Sequence, residues 1–245
     1  MPVRSTIPMP GAEAPIVKRK LADEVFERLK TMITSGDYAP GQALPSEREL
    51  MARYGVGRPA IREAMQALAN LGLLTISHGE RARVRSLTAK DAVDQMSLVA
   101  GIMLSGSPKM LENLKQARRF LGREMVREAA RSATDGDIAD LEAILKRQID
   151  AGAEREAFIE ADAAFHIRIA AISGNAIYEA VTEAVLGWLK TYQVDALVWE
   201  GKGGQTLVEN AEILRCIKTR DAEGADVALC SHLDRLSAQA GRVAQ

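Results

Sequence analysis

The sequence has little of what secreted, membrane-spanning or thiol-dependent proteins need. Its only cysteines are Cys216 and Cys230, which are too few for a disulfide framework and too far apart to suggest a cysteine-rich metal site. No run approaches the roughly 18 apolar residues of a membrane helix, and the first 20 residues lack the apolar core of a secretory signal. Aromatic residues make up only 4% of the chain, which favours helices over sheets. We therefore expect a cytoplasmic, mainly α-helical protein with no membrane partner.

What is present is the composition of an ordinary globular chain with an uneven distribution of charge. With 245 residues, 47% of them apolar and 27% charged, the chain is long enough for two domains. Residues 1–90 hold 14 Lys and Arg against 9 Asp and Glu, whereas the remainder holds 18 against 24. A basic N-terminal part suits a polyanion such as nucleic acid, and the acidic remainder does not.

The N-terminal third begins with the order of a helix-turn-helix. Residues 1–19 are rich in proline and have no hydrophobic period, which predicts a flexible arm. Apolar residues then recur at helical spacing from Leu21 to Ile33, which predicts a first helix. Ser46 and Glu49 have the spacing of a capping box, which predicts a second helix that ends near Tyr54.

A glycine turn, a third helix and a hairpin complete this pattern. Gly55-Val56-Gly57 ends the second helix, and Arg58-Pro59 starts a third helix because proline is tolerated in the first helical turn. That helix is predicted to run to about Leu71. Residues 73–76 and 82–84 are predicted strands joined by a tight turn. Three helices followed by a β-hairpin predict a winged helix-turn-helix.

The DNA contacts of this domain, residues 20–87, are predicted on its third helix and its hairpin. In a helix-turn-helix the first residues of the recognition helix face base edges in the major groove. Arg58 and Arg62 lie on one helix face, and an arginine fork matches the paired acceptors of guanine. Arg83 and Arg85 add cations on the hairpin. The alternative is that these arginines only solvate a helix surface, and it is weakened by the order of capping box, glycine turn and basic hairpin. The predicted contacts are Arg48, Gly57, Arg58, Pro59, Ala60, Arg62, His78, Gly79, Glu80 and Arg81.

Beyond Thr88 the pattern is helical almost throughout. Helix breaks fall near residues 105–108, 134–137, 173–175, 201–204 and 221. No alternating strand pattern is present, so an all-α bundle of six or seven helices is predicted. We assign residues 88–108 to a linker and connecting helix, and residues 109–240 to the bundle proper.

Three residues of this bundle, one aspartate and two histidines, are candidate metal ligands. Asp162 and His166 are four residues apart on a predicted helix and project from one face, and His232 lies on the last helix. A salt-bridged core pair is the simpler explanation for the first two. A hydrolase with these three ligands and an open metal position is a further alternative, but the sequence offers no nucleophile motif, general base or phosphate loop for it.

Residues 20–85 resemble the DNA-binding domain of the gluconate-repressor (GntR) superfamily of transcription regulators. The shared stretches are Leu44-Pro45-Ser46-Glu47-Arg48-Glu49-Leu50, Val56-Gly57-Arg58, Ile61-Arg62-Glu63-Ala64 and Gly72-Leu73. The resemblance implies that Arg48, Arg58 and Arg62 contact operator DNA, with His78 and Gly79 at the wing. The hairpin from Gly79 to Val84 is similar to that of the sialic-acid-responsive repressors of this superfamily, which also carry an N-terminal arm.

Residues 109–240 resemble the FCD domain, the helical effector module of the fatty-acid-regulator branch. The shared stretches are Asp162-Ala163-Ala164-Phe165-His166, Ser173-Gly174-Asn175 and His232-Leu233. In that domain an aspartate and three histidines hold a divalent metal, often zinc. Asp162, His166 and His232 match three of these ligands, whereas the remaining histidine position falls on Asn210. The resemblance implies zinc as the first choice, with nickel or manganese favoured where an amide oxygen replaces imidazole. Glu209 and Glu212 are alternative ligands.

The resemblance also implies that an acidic metabolite completes the coordination of this metal. Arg118 matches the family's pocket arginine, which pairs with a carboxylate, and the alternative is a surface arginine beside Arg119. The predicted function is a homodimeric repressor that binds double-stranded operator DNA and responds to a small carboxylate effector. Sialic acid is the first candidate, with another sugar acid or an organic acid as the alternative. We expect no enzymatic activity.

Overall fold

The computed structural model describes residues 20–191 and 203–243, which fall into two compact units divided between Leu87 and Thr88. The elements of the described part are α1 (Leu21–Thr34), α2 (Glu47–Tyr54), α3 (Arg58–Asn70), β1 (Leu74–Thr75), β2 (Arg83–Val84), α4 (Ala89–Ser105), α5 (Pro108–Ser132), α6 (Asp135–Ala151), α7 (Arg155–Ile172), α8 (Ala176–Thr191), α9 (Gly203–Lys218) and α10 (Ala222–Val243). The predicted arm, residues 1–19, lies outside the described residues. No helix among those described is long and apolar enough to cross a membrane.

The first unit is the winged helix-turn-helix that the sequence predicts. Ser46 caps α2 in a reciprocal box, because its hydroxyl accepts from the Glu49 amide at 3.3 Å and its own amide donates to the Glu49 carboxylate at 2.7 Å. Gly55 ends α2 with a φ of 64°, a left-handed conformation that favours glycine. Buried apolar side chains from α1, α2, α3 and both strands form one core, which fixes the recognition helix α3 against its neighbours.

The hairpin is shorter than predicted, and the segment before α2 pairs with its second strand. β1 runs antiparallel to β2, with Leu74 opposite Val84 and Thr75 opposite Arg83. The segment before α2 also forms a bridge to Arg83. The Arg83 guanidinium donates to the carbonyl of Gly41 at 3.0 Å, so this arginine also ties the preceding loop to the hairpin.

The second unit is an all-α bundle, with seven helices, α4 to α10, in its described part. The helix starts follow local sequence signals, since Thr88 and Thr134 form capping boxes at α4 and α6. Phe165 of α7 and Ile213 of α9 are fully buried in the main core. Helix α4 packs against α8, so the segment assigned from the sequence to a connecting helix forms part of this unit.

Candidate nucleic-acid interface and metal centre

The recognition helix α3 presents two arginines to solvent. The side chains of Arg58 and Arg62 are 64% and 70% exposed. Both face the Glu47 carboxylate of α2, with the Nε atom of Arg58 at 3.1 Å and that of Arg62 at 3.8 Å. Because ion pairs between exposed groups contribute little, the two guanidinium groups can exchange Glu47 for phosphate or base acceptors at small cost.

The other predicted DNA residues lie on the surface of the same unit. Hydrogen bonds within its capping box lower the pKa of Glu49, and the charges of Arg81 on the wing and Arg48 on α2 lower it further, so both arginines lie near this carboxylate. Gly79 has a φ of 78° and open space where a Cβ would stand, so its backbone is accessible to a close neighbour. All the predicted contacts are exposed except Ala60, which is half-buried.

Three helices of the second unit bring the predicted metal ligands to one place. Asp162 and His166 project from α7, Asn210 comes from α9 and His232 from α10. Oδ2 of Asp162 lies 3.9 Å from Nε2 of His166, and the two imidazole centroids are 5.3 Å apart. One donor atom from each of Asp162, His166 and His232 lies within 4.8 Å of the others. Residues that are 70 positions apart in the sequence, from Asp162 to His232, therefore meet in one cluster.

A ring of hydrogen bonds joins Asn210 to this cluster. Its Nδ2 donates to Oδ1 of Asp162 at 2.7 Å and to Oε1 of Gln148 at 3.0 Å. Nε2 of Gln148 donates in turn to Oδ1 of Asp162 at 2.9 Å. Sequence reasoning missed Gln148, which continues the buried stripe of Leu141 and Leu145 on α6. A glutamine at a core position of an amphipathic helix is the signal that could have found it.

Three atoms of the cluster that could bind a metal are buried without a hydrogen-bond partner. They are Nε2 of His166, Nε2 of His232 and Oδ1 of Asn210. Such atoms are uncommon in folded proteins, because each has given up its bond to water without a replacement. The Asp162 carboxylate and the two imidazole nitrogens make one set of metal-binding atoms, and the open oxygen of Asn210 is a candidate fourth. This set fits a divalent metal.

Glu209 holds His232 in place. Its Oε2 lies 2.8 Å from Nδ1 of His232, so the carboxylate accepts the proton of Nδ1 and leaves the lone pair on Nε2. Arg235 donates to both oxygens of Glu209, at 2.7 and 2.6 Å. Glu212, the other alternative ligand, is paired with Arg215 at 2.6 Å. Both glutamates thus have partners of their own.

Burial and the neighbouring groups together set the protonation of the cluster. Burial lowers the pKa of His166 to about 3, so this imidazole is neutral near pH 7 and has no proton to lose before it binds a metal. Burial raises the pKa of Asp162, but the charges and hydrogen bonds of its neighbours outweigh burial and lower the pKa. Burial also raises the pKa of Glu209, whereas hydrogen bonds from His232 and Arg235 bring it down to about 2. Neutral imidazole and ionised carboxylates are the forms that ligate metals.

Arg118 of α5 lines two hollows beside the cluster. One is a cavity of about 40 Å³ between α5, α7, α8 and α10, whose polar side chains, among the described residues, are Arg118, His166 and Thr182. The other is a more open recess of about 250 Å³ along α7 and α8. The charged residues of this recess are Arg118, Glu160, Asp162, Glu183 and Lys190. Arg118 is therefore placed where it can pair with an anion next to the donor cluster.

Comparison with known proteins assigns both units. Residues 21–84 match the family described as "Bacterial regulatory proteins, gntR family", and residues 113–235 match the FCD domain. The chain is 38% identical over 227 residues to the HTH-type transcriptional repressor NanR of Edwardsiella tarda, an alignment that covers 91% of this chain and 86% of that protein. This chain belongs to the GntR family. The NanR repressor of Escherichia coli is 37% identical over the same shares of the two chains.

The GntR-family assignment extends to the fold and to the class of activity. The solved Streptococcus agalactiae GntR structure superposes with a TM-score of 0.63 at 23% identity, over 86% of this chain and 96% of that one. The protein is thus a DNA-binding transcription regulator with a GntR-type winged helix and an FCD domain, as the sequence predicts. The hydrolase alternative is set aside, because this family and the NanR relatives are transcription regulators.

Proposed function

We propose that this GntR-family regulator is a repressor whose operator binding is controlled by a small carboxylate held against a divalent metal in its FCD domain. The observation that carries the proposal is the group of buried donor atoms without partners on His166, His232 and Asn210, beside the Asp162 carboxylate. The metal, when bound, supplies a Lewis-acidic centre for a carboxylate oxygen. Arg118 lines the adjacent cavity and pairs with the same carboxylate.

Zinc is the first metal to test, with nickel and manganese as alternatives. Two imidazoles and a carboxylate suit zinc, as in many zinc sites with three protein ligands. The amide oxygen of Asn210 is a harder and weaker ligand than imidazole, and it shifts the preference toward metals that accept more oxygen. Asp162, His166, Asn210 and His232 would hold the ion.

A sugar acid is the first effector class to test, with sialic acid as its first member. The wing resembles that of sialic-acid-responsive repressors, and the charged recess beside Asp162 offers partners for hydroxyl groups. A sugar acid whose carboxylate pairs with Arg118 could place its polar remainder in this recess. There Glu160, Glu183 and Lys190 can donate or accept hydrogen bonds.

The apolar cavity favours a second class, a short organic acid with an aliphatic tail. Its described lining is mostly leucine, valine, isoleucine and methionine, and its volume of about 40 Å³ leaves little room. A buried hydroxyl without a partner costs about 1–3 kcal/mol, so a sugar would be poorly matched on this side of Arg118. The two effector classes would therefore pair with the same arginine, Arg118, but a sugar acid would extend into the charged recess and an aliphatic acid into the apolar cavity.

Helix α8 links the cavity to the first helix of the FCD unit. It contributes Val181, Val185 and Leu186 to the cavity wall and packs against α4, which begins directly after the boundary between the two units. Contacts between them include Lys90 to Glu183 at 2.5 Å. An effector that binds one arrangement of α8 more tightly than another shifts the population toward that arrangement. Because α4 packs against α8, its arrangement shifts too, and we propose that this change is passed on to the DNA-binding unit.

The operator-binding form is proposed to be a homodimer on double-stranded operator DNA. A helix-turn-helix dimer reads two half-sites about one helical turn apart, and operator symmetry mirrors protein symmetry. Helix α4 exposes a stripe of large apolar side chains that a second copy would cover. They are Met96, Val99, Ile102 and Met103, each at least 50% exposed. Light scattering of the full chain should then give twice the 26.5 kDa mass of one chain.

A thermal-shift screen of the full chain tests the proposal. Protein stripped with a chelator is heated alone, with Zn²⁺, Ni²⁺ or Mn²⁺, and with each metal plus sialic acid, other sugar acids or short aliphatic acids. One metal should raise the melting temperature, and carboxylates of one class should raise it further only when that metal is present. Arg118→Gln should abolish the second rise, whereas Arg119→Gln, the matched neighbour, should retain it. Stabilisation by carboxylates without metal would contradict the proposal.

A further inference from the structure

Asn210 stands where the resemblance places a histidine, and its amide is held in one orientation. The side chain is fully buried, and its Nδ2 has two acceptors, Oδ1 of Asp162 at 2.7 Å and Oε1 of Gln148 at 3.0 Å. A reversed amide would bring its oxygen against the Asp162 carboxylate and the Gln148 oxygen. Both contacts would be repulsive, so the amide nitrogen faces the ring and the amide oxygen faces away from it.

Gln148 is held just as firmly. It is fully buried, its Nε2 donates to Oδ1 of Asp162 at 2.9 Å, and its Oε1 accepts from Asn210. The carboxylate can only accept, so it requires an N–H from Gln148, and that requirement turns the Gln148 oxygen toward Asn210. The orientation of one amide thus sets the orientation of the other.

The outcome is that Oδ1 of Asn210 is buried and has no hydrogen-bond partner. Among the described residues, four buried side-chain atoms lack a partner, and three of them belong to this cluster: this oxygen and the Nε2 atoms of His166 and His232. The fourth, Nε of Arg127, belongs to an ion pair with Asp226 on another side of the bundle. A neutral oxygen acceptor left open on a residue that bonds Asp162, whose cluster also holds two open imidazole nitrogens, has the character of a ligand.

We propose that Gln148 is the positioning residue that makes Asn210 a metal ligand, because it holds the amide nitrogen so that the oxygen is presented with His166 and His232. This inference rests on the proposed metal site. It adds that the loss of the family's histidine is compensated by a buried glutamine on a fourth helix, α6. Glu209 fills the corresponding role for His232, whose Nδ1 it binds at 2.8 Å.

The donor set that follows contains one fewer nitrogen than a site with three histidines and one aspartate. It selects less strongly for zinc and admits metals that prefer oxygen, and a histidine at position 210 would restore the stronger nitrogen ligand. Gln148 should therefore affect metal affinity only while residue 210 is an amide, whose oxygen and nitrogen have to be held in one orientation.

A double-substitution cycle on the full-length protein tests this. Gln148→Met keeps the volume and removes both hydrogen bonds. It should weaken Zn²⁺ and Co²⁺ binding by about 10–100-fold in competition with a chelator, the usual effect of losing an outer partner of a ligand. In the Asn210→His background the same substitution should cost at least about tenfold less, since the two residues are coupled.

The Co²⁺ absorption spectrum separates positioning from a purely structural role. Gln148→Met should change the visible bands of bound Co²⁺, because an oxygen ligand is lost, and the bands should not differ between Asn210→His and Asn210→His/Gln148→Met. Lys146→Met, on the exposed side of α6, is the control and should leave affinity and spectrum unchanged. If Gln148→Met does not fold, Gln148→Leu serves, because it also removes both hydrogen bonds and should change the bands in the same way.

Each outcome bears on the proposal. Equal loss of affinity in the two backgrounds, or unaltered Co²⁺ bands in Gln148→Met or Gln148→Leu, would overturn the role of Gln148 alone. A wild-type chain that binds none of the metals would overturn the metal site, and the role of Gln148 with it. A loss of metal affinity in Gln148→Met that disappears in the Asn210→His background supports the proposal.

Discussion

The two candidate sites of this regulator are built in opposite ways. The predicted DNA contacts come from one short stretch, Arg48 to Arg81, and almost all are exposed. The donor cluster of the FCD domain draws on four helices between Gln148 and His232, and most of its side chains are buried. An exposed arginine is solvated until its ligand arrives, whereas a buried donor must be held in place by the protein in advance. We therefore expect the exposed site to lose function residue by residue, and the buried site to fail when any member is removed.

The largest effect is expected from His166→Leu. The Nε2 atom of His166 has no partner in the protein, so a leucine of similar size sacrifices no hydrogen bond there, and the metal-free protein should be as stable as the wild type or more so. Metal affinity should fall by more than the ~10–100-fold that loss of an outer partner costs. Chelator competition and thermal melts measure the two quantities. A metal affinity that survives the change would remove His166 from the site.

Arg58→Ala is expected to weaken operator binding by about 1–3 kcal/mol, or roughly 5–150-fold, because a bidentate contact with a base is lost. The loss should shrink on DNA of unrelated sequence. Arg81→Ala on the wing is the comparison, and it should weaken binding to all sequences alike and reduce the salt dependence by about one counterion. Arg131→Ala, an exposed arginine of the FCD unit, is the control. Fluorescence anisotropy at several salt concentrations distinguishes these patterns, and equal losses on all DNA would make Arg58 a phosphate contact only.

The buried site should also reveal itself by pH. Histidine titrates near pH 6.5 in an unfolded chain, and burial lowers the pKa of His166 to about 3 in the fold. Between these values the unfolded state takes up the proton first, so this residue makes stability fall as pH falls. His166→Leu lacks the effect, and its advantage over metal-free wild type should grow by on the order of 1–2 kcal/mol from pH 7 to pH 5. Urea unfolding with chelator present measures this, and parallel curves would mean that His166 is not buried as described.

The smallest effects should be equal in the two units. Ser46→Ala and Thr134→Ala each remove one capping box, at α2 and at α6. Each should lower the free energy of unfolding of its own unit by about 1 kcal/mol. Chemical unfolding followed by circular dichroism measures both. If only one of the two substitutions lowers the free energy of unfolding, helix capping contributes to stability differently in the two units.

The difference between a site formed by one short stretch and a site formed by four helices also explains what the sequence could predict. The capping box of Ser46 and Glu49, the turn at Gly55 and the spacing of Asp162 and His166 depend on residues within one or two helical turns of each other. Local pattern was enough to find them. Asn210 was placed only by resemblance to a family, since nothing near it in the chain points to a ligand.

The supporting residues could not be predicted, because their partners are distant in the chain. Gln148 meets Asn210 across 62 positions, and Glu209 meets His232 across 23. The loop before α2 is held by a contact of the same kind, since Arg83 donates to the carbonyl of Gly41, 42 positions earlier. Periodicity shows which face of a helix is buried but not which residue lies opposite.

Operator affinity measured with and without metal and effector tests the central claim most directly. The full chain, stripped or loaded with the metal that stabilises it, is titrated with operator DNA in the presence of the carboxylate selected by the thermal screen. Only the combination of metal and carboxylate should change operator affinity, by about 5–150-fold, the range of coupling between sites. His166→Leu should bind operator with the affinity of the metal-stripped wild type, and its affinity should not change when metal and carboxylate are added. An equal response in His166→Leu, or none in the wild type, would contradict the account of a metal-held carboxylate that controls DNA binding.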